Sequence, residues 1–118
     1  MGTVMIRWLN WVVVLRPTTD LVGDETTGEL QKAFESAWAE SHQGIVINLS
    51  DVQLMNSLGF GLLAHCLALA NRTHTKIAFC CLSPRLAGMF RQMGLLALME
   101  RRIWFDSEAD AVHHCRDR

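Results

Sequence analysis

The sequence predicts an α/β fold: a single-layer mixed β-sheet, made of an N-terminal hairpin and mostly parallel strands, covered by about four helices. Three observations carry that prediction. Two short runs, Ile45 to Leu49 and Lys76 to Leu82, are almost continuously apolar, the pattern of strands buried on both faces of a parallel sheet. Stretches with apolar residues at spacings of three and four separate them, which is helical periodicity. Two β-branched runs near the N-terminus, parted only by Asn10, read as paired antiparallel strands.

The elements follow in order. Met5 to Leu9 and Trp11 to Leu15 form the hairpin, and Pro17 ends its second strand. Thr18, Thr19 and Asp20 supply turn or cap chemistry before a polar segment that becomes helical, with Leu30, Phe34, Ala37 and Trp38 on one face. Glu40 to Gly44 closes that helix and opens the strand Ile45 to Leu49. A loop from Ser50 to Ser57 leads into an apolar helix from about Leu58 to Arg72, and Thr73-His74-Thr75 connects it to the strand Lys76 to Leu82.

Ser83-Pro84 restarts a helix, with serine as N-cap and proline at the first helical position. Leu86, Met89, Phe90 and Met93 give it an apolar stripe, and Gly94 is placed to end it. A last strand lies in Leu98 to Phe105 around Ile103 and Trp104. Asp106-Ser107 can cap a final helix to Cys115, and Arg116 to Arg118 is expected to fray. The order β-β-α-β-α-β-α-β-α implies right-handed crossovers between parallel strands.

With 118 residues, half of them apolar, one domain over residues 1–118 can build its own core. The net charge of -1 and scattered Lys and Arg lack the basic footprint of a nucleic-acid binder. The longest apolar stretch, Leu58 to Ala70, is interrupted by His65 and falls short of the ~20 residues that cross a bilayer, so no membrane insertion is expected. No signal-peptide pattern is visible in Met1 to Leu15, which predicts a cytoplasmic protein.

Cys66, Cys80, Cys81 and Cys115 show no C-x-x-C spacing and read as reduced, structural thiols. Neighbouring strand residues point to opposite faces, so Cys80 and Cys81 are not expected to act together. His113-His114-Cys115 diverges around a helix end and makes a poor metal site, and His65 reads as a core-edge histidine with one hydrogen-bond partner. Gly59-Phe60-Gly61 has neither the Lys-Ser/Thr of a P-loop nor a third glycine. Ser57 lacks the frame of a nucleophile elbow, with Met55 and Gly59 at the flanking positions. The sequence therefore predicts no enzyme, no metal and no cofactor.

One feature remains, a serine where a buried strand passes through a turn into an apolar helix. The Ser57 hydroxyl can cap the helix, Asn56 can do so equally well, or Ser57 can accept a phosphoryl group.

Ile45-Val46-Ile47-Asn48-Leu49-Ser50-Asp51-Val52, then Asn56-Ser57-Leu58-Gly59-Phe60, Leu82-Ser83-Pro84 and Met93-Gly94-Leu95 together resemble a STAS domain. This is the family of bacterial anti-sigma-factor antagonists and of related domains in stress-signalling complexes and sulfate transporters. Its strand reads like V-I-x-D-L-S-x-V and its turn like D-S-S/T-G-L. The likeness spans nearly the whole chain, more specific in the second half: Pro17 stands where the family often has glycine, and Asp20 matches its usual acidic residue approximately.

The resemblance implies a STAS-like fold and a partner switch. An antagonist of this kind binds a serine kinase that doubles as an anti-sigma factor, is phosphorylated in the turn and thereby released, and a phosphatase resets the cycle. ATP belongs to the kinase. Ser57 is then the phosphoacceptor, Asn56, Ser57, Leu58, Gly59 and Phe60 are partner-binding residues, and Asp20 and Asp24 are further candidates for partner contact. The alternative is a non-phosphorylated STAS module, a subunit of a signalling assembly or of a membrane-transporter complex. Three positions depart from the pattern: Asn48 and Asn56 replace aspartates, and Leu58 replaces a second hydroxyl that is frequently the acceptor, leaving Ser57 as the hydroxyl of the turn.

Overall fold

The computed structural model describes residues 2–40, 44–73, 75–92 and 103–116. Its elements are β1 (Val4–Leu9), β2 (Val12–Pro17), α1 (Glu25–Ala39), β3 (Gly44–Asn48), α2 (Ser57–Asn71), β4 (Lys76–Cys80), α3 (Pro84–Gln92), β5 (Trp104–Phe105) and α4 (Glu108–Arg116). The five strands form one sheet in the order β1-β2-β3-β4-β5. β1 and β2 pair antiparallel, and every later pair is parallel. The α/β class, the hairpin and the element order are as the sequence predicts.

Alternation along the three inner strands builds two cores. Val13, Leu15, Ile45, Ile47, Ile77 and Phe79 face the larger one, with Leu30 and Phe34 of α1, Leu63 and Leu67 of α2, and Leu86 and Phe90 of α3. Val12, Val14, Val46, Ala78 and Cys80 face the smaller one, covered by Ala111, Val112 and Cys115 of α4. Helices on both faces explain why these strands carry no polar alternation. The residues under α4 are small, and the approach is close: a Cβ on Gly44 would collide with the Cys115 side chain.

Several boundaries differ from the sequence prediction, each for a local reason. Trp11 belongs to the hairpin turn with Asn10, whose φ of 60° reverses the chain. β2 runs on to Pro17, because only β1 pairs with that residue and the parallel ladder with β3 stops at Leu15. α1 begins at Glu25, before its first apolar residue, and buries Thr26 and Thr27. β4 stops at Cys80, where Cys81 turns to a φ of 65°. Ser83 and Ser107 cap α3 and α4, accepting from the N–H groups of Leu86 at 3.1 Å and Asp110 at 3.1 Å. Gly94 and residues 98–102 lie outside the described residues.

Candidate functional site

The connection between β3 and α2 is held by hydrogen bonds along its whole length. Leu49 N–H donates to the Cys80 carbonyl at 3.0 Å, and Ser50 N–H to Asn48 Oδ1 at 2.9 Å. Asp20 Oδ1 accepts from the N–H groups of Gln53 at 2.9 Å and Leu54 at 3.0 Å. Leu21 and Met55 then make a parallel bridge, with Leu21 N–H donating to Leu54 O and Asn56 N–H to Leu21 O. Finally Asn56 Nδ2 donates to the Val22 carbonyl at 2.8 Å. Asp20 is thus committed to holding the loop.

Asn56, not Ser57, is the N-cap of α2. Its backbone is extended, with φ −105° and ψ −173°, and its Oδ1 accepts from the N–H groups of Leu58 at 3.0 Å and Gly59 at 3.2 Å. The capping reading of Ser57 is therefore corrected: Ser57 is the first residue inside the helix, and its side chain is exposed. Gly59 and Phe60, expected among the partner-binding residues, are both buried. A Cβ on Gly59 would strike the Leu21 carbonyl, and Phe60 packs edge-on against Phe90 with ring centroids 4.8 Å apart. They hold the turn in place rather than present it.

What the turn does present is apolar. Leu58, next to Ser57, is 60% exposed, and Leu54 at 38% and Val22 at 37% are exposed in the segments that lead to the turn and bond to it. Leu58 lies over Gly23, whose φ of 84° and missing Cβ leave room for it. Beside them a groove of about 410 Å³ runs between the start of α1 and α2, lined by Asp24, Thr27, Ser57, Leu58, Leu62 and His65. Asp24 is the N-cap residue of α1 but makes no side-chain cap bond, and it lines this groove. Sequence reasoning missed Val22 and Leu54, because exposure of a lone apolar residue in a loop leaves no periodic signal.

An amide also stands at the end of β3. Asn48 is 6% exposed, and its Nδ2 donates at 3.1 Å to Glu108 Oε1 at the start of α4. The other oxygen of Glu108 accepts from Arg7 at 2.9 Å. At the groove's α1–α2 wall, His65 Nε2 meets Glu35 Oε2 at 3.1 Å, and that hydrogen bond chiefly holds the Glu35 carboxyl below its usual value. His65 is accordingly an exposed residue with one partner.

Among the described residues no three His, Cys, Asp or Glu side chains gather to hold a metal ion. His113 is exposed, the His114 ring lies 5.0 Å from Phe105, and Cys115 is buried with its Sγ 4.0 Å from Ile45 O. Burial pushes the thiols of Cys66 and Cys115 up to about 12, so both stay protonated and inert near neutrality. Among the described residues no helix is long and apolar enough to cross a membrane.

The sequence pattern of the STAS domain matches residues 8–111. A putative anti-sigma factor antagonist from Thermotoga maritima superposes with a TM-score of 0.82 at 19% identity, covering 97% of this chain and 95% of that one. A sulfate transporter family protein from Wolinella succinogenes gives 0.72 at 14% identity, with 90% and 85% covered. The Bacillus cell fate determinant SpoIIAA in its phosphorylated form gives 0.71 at 17% identity, with 96% and 99% covered. No curated protein sequence matches the chain.

Proposed function

The chain belongs to the STAS domain family, and from that premise we propose that it is a regulatory protein-binding module of the anti-sigma-factor-antagonist type, switched by phosphorylation of Ser57. The observation that carries the reading is an exposed serine at the first residue of a helix, in one groove with the exposed Leu58. A partner is a serine kinase that doubles as an anti-sigma factor. It would dock on the apolar residues, reach Ser57 and supply the ATP itself; a phosphatase would reverse the reaction.

The physics of release is local. A phosphate adds roughly -1.5 to -2 charges at the positive end of α2, where the helix dipole tolerates it, so the fold need not change. The bound complex would bury that charge against apolar side chains, and an unpaired buried charge costs about 2 to 5 kcal/mol. Likeness to a phosphorylated fold relative supports the reading at the level of the scaffold.

The test is incubation with a co-purifying serine kinase and ATP, followed by phosphosite mapping and an affinity measurement. Phosphate is expected on Ser57, with affinity reduced roughly thirtyfold or more, the lower end of that electrostatic range. Phosphate elsewhere, with Ser57→Ala switching normally, refutes it. A second reading, a non-phosphorylated module in a signalling assembly or a transporter complex, is favoured by Leu58, an exposed apolar side chain where a second hydroxyl is frequent. It requires Ser57→Ala and Ser57→Glu to bind the partner as the parent does.

A further inference from the structure

Cys80 and Cys81 lie where β4 ends, at the same edge of the sheet as the loop leading to Ser57. Strand alternation puts Cys80 on the α4 face, completely buried beside Ala78 and Val46. Continued alternation would send Cys81 to the opposite face. It does not go there. Cys81 adopts a φ of 65°, a region that a residue with a Cβ enters at a cost of roughly 1 to 2 kcal/mol. Its side chain therefore packs against the same small core that holds Cys80.

The backbone holds this conformation from both sides. Leu49 N–H donates to the Cys80 carbonyl at 3.0 Å, and Cys81 N–H donates to the Phe105 carbonyl at 3.1 Å. Cys80 is sealed from solvent, while Cys81 is half-buried and gives access to the pair. Neither sulfur is in a disulfide.

We propose that Cys80 and Cys81 form a vicinal dithiol site for trivalent, thiophilic metalloids, with organic arsenic(III) oxides as the defining ligand class. The reaction is a condensation without redox change. Two S–As bonds form, the As=O bond breaks, and the two thiol protons leave with the oxygen as water while arsenic stays trivalent. Burial chiefly, and the neighbouring Cys81 thiol, raise the Cys80 thiol above its ordinary range. A neutral dithioarsenite suits such surroundings, whereas a divalent cation would require two desolvated thiolates. The nearest other thiols cannot substitute: Cys66 lies in the opposite core, and Cys115 packs at the far end of β3 against Gly44 and Ile45.

The experiment uses the intact, folded chain and phenylarsine oxide. Native mass spectrometry should show one arsenical bound with loss of one water, stable to excess glutathione and removed by a dithiol, and peptide mapping of the parent should place it on residues 80 and 81. Cys81→Ser should leave a monodentate adduct at best, with affinity lower by roughly a hundredfold, the size of effect that tethering a second binding group provides. Cys66→Ala and Cys115→Ala should retain the adduct. The proposal is overturned if the folded parent takes up no arsenical, if the adduct forms only after denaturation, if mapping places it on Cys66 or Cys115, or if folded Cys81→Ser keeps a glutathione-resistant adduct. Mapping on the parent decides the matter even where a variant fails to fold.

Discussion

Asn48→Asp restores the residue that the family pattern carries at the end of this strand, and it is expected to damage this protein. In the structure Asn48 Nδ2 donates to Glu108 Oε1 at 3.1 Å while nearly buried. An aspartate loses that donor, and a hydrogen bond to a charged acceptor contributes about 1.5 to 3 kcal/mol. It also places two carboxylates at hydrogen-bond distance, a repulsion of roughly 5 kcal/mol at an effective dielectric near 20. The pair can avoid this by retaining one proton, which at pH 7 costs about 4 kcal/mol for an ordinary carboxyl and is partly returned as a shared hydrogen bond. Arg7 on Glu108 and a stronger Ser50 N–H bond offset some of the remainder. The expected loss is about 2 to 4 kcal/mol at pH 7.5. The pair's proton affinity is raised on folding, so the deficit is fully present at high pH and shrinks as pH falls through the raised value, to about 1 kcal/mol near pH 4.5. Urea unfolding of parent and variant at both pH values measures this. Adding Glu108→Gln to the variant should recover most of the loss at pH 7.5, because an amide can again donate across the gap. A variant as stable as the parent at pH 7.5, or a deficit that does not shrink with acid, would refute the reasoning.

Asn56→Ala should destabilise by about 1 to 2 kcal/mol, since two backbone N–H groups and the Val22 carbonyl lose their partner. Ser57→Ala should stay within about 0.5 kcal/mol of the parent; equal losses at the two positions in thermal unfolding would contradict the assignment of the cap. Gly59→Ala drives a Cβ into the Leu21 carbonyl and should cost about 1 to 3 kcal/mol, checked by chemical denaturation. His65→Ala removes the hydrogen bond that chiefly depresses the Glu35 carboxyl, so the Glu35 NMR titration midpoint should rise toward the ordinary glutamate value. The depressed value contributes stability above the unfolded midpoint that disappears as pH falls through the folded one, so the variant should lose that acid-dependent component; an unmoved midpoint rules this out.

The inner strands were legible because burial on both faces leaves an unbroken apolar run, and Ser83-Pro84 was legible because capping is local chemistry. The choice between Asn56 and Ser57 was not. Both residue types cap helices, and the decision falls to Val22, 34 residues away, whose carbonyl takes the Asn56 amide. The burial of Phe60 was not legible for a related reason: α2 is apolar nearly all round, so periodicity cannot say which side faces Phe90. Cys81 had no sequence signal, because cysteine carries no preference for positive φ and only its packing on the smaller core and its bond to Phe105 reveal the reversal.

Asn48 and Asn56 follow one rule that bears on the switch. At each, Oδ1 accepts backbone N–H groups as a carboxylate would, Ser50 at the first and Leu58 with Gly59 at the second. At each, Nδ2 also donates to an acceptor that a carboxylate could only repel, Glu108 Oε1 or the Val22 carbonyl. The turn thus keeps the acceptor geometry while carrying two fewer negative charges than the family pattern. A phosphate on Ser57 would meet less like-charge repulsion, and the phosphorylated free protein would be correspondingly less strained. On the proposed reading a phosphate on Ser57 is then electrostatically tolerated, and Asp24, which lines the groove with Ser57, is a carboxylate placed to meet the kinase in place of those aspartates. Asp24→Asn should then slow phosphorylation of Ser57 while leaving stability within about 0.5 kcal/mol, because its side chain makes no cap bond to α1.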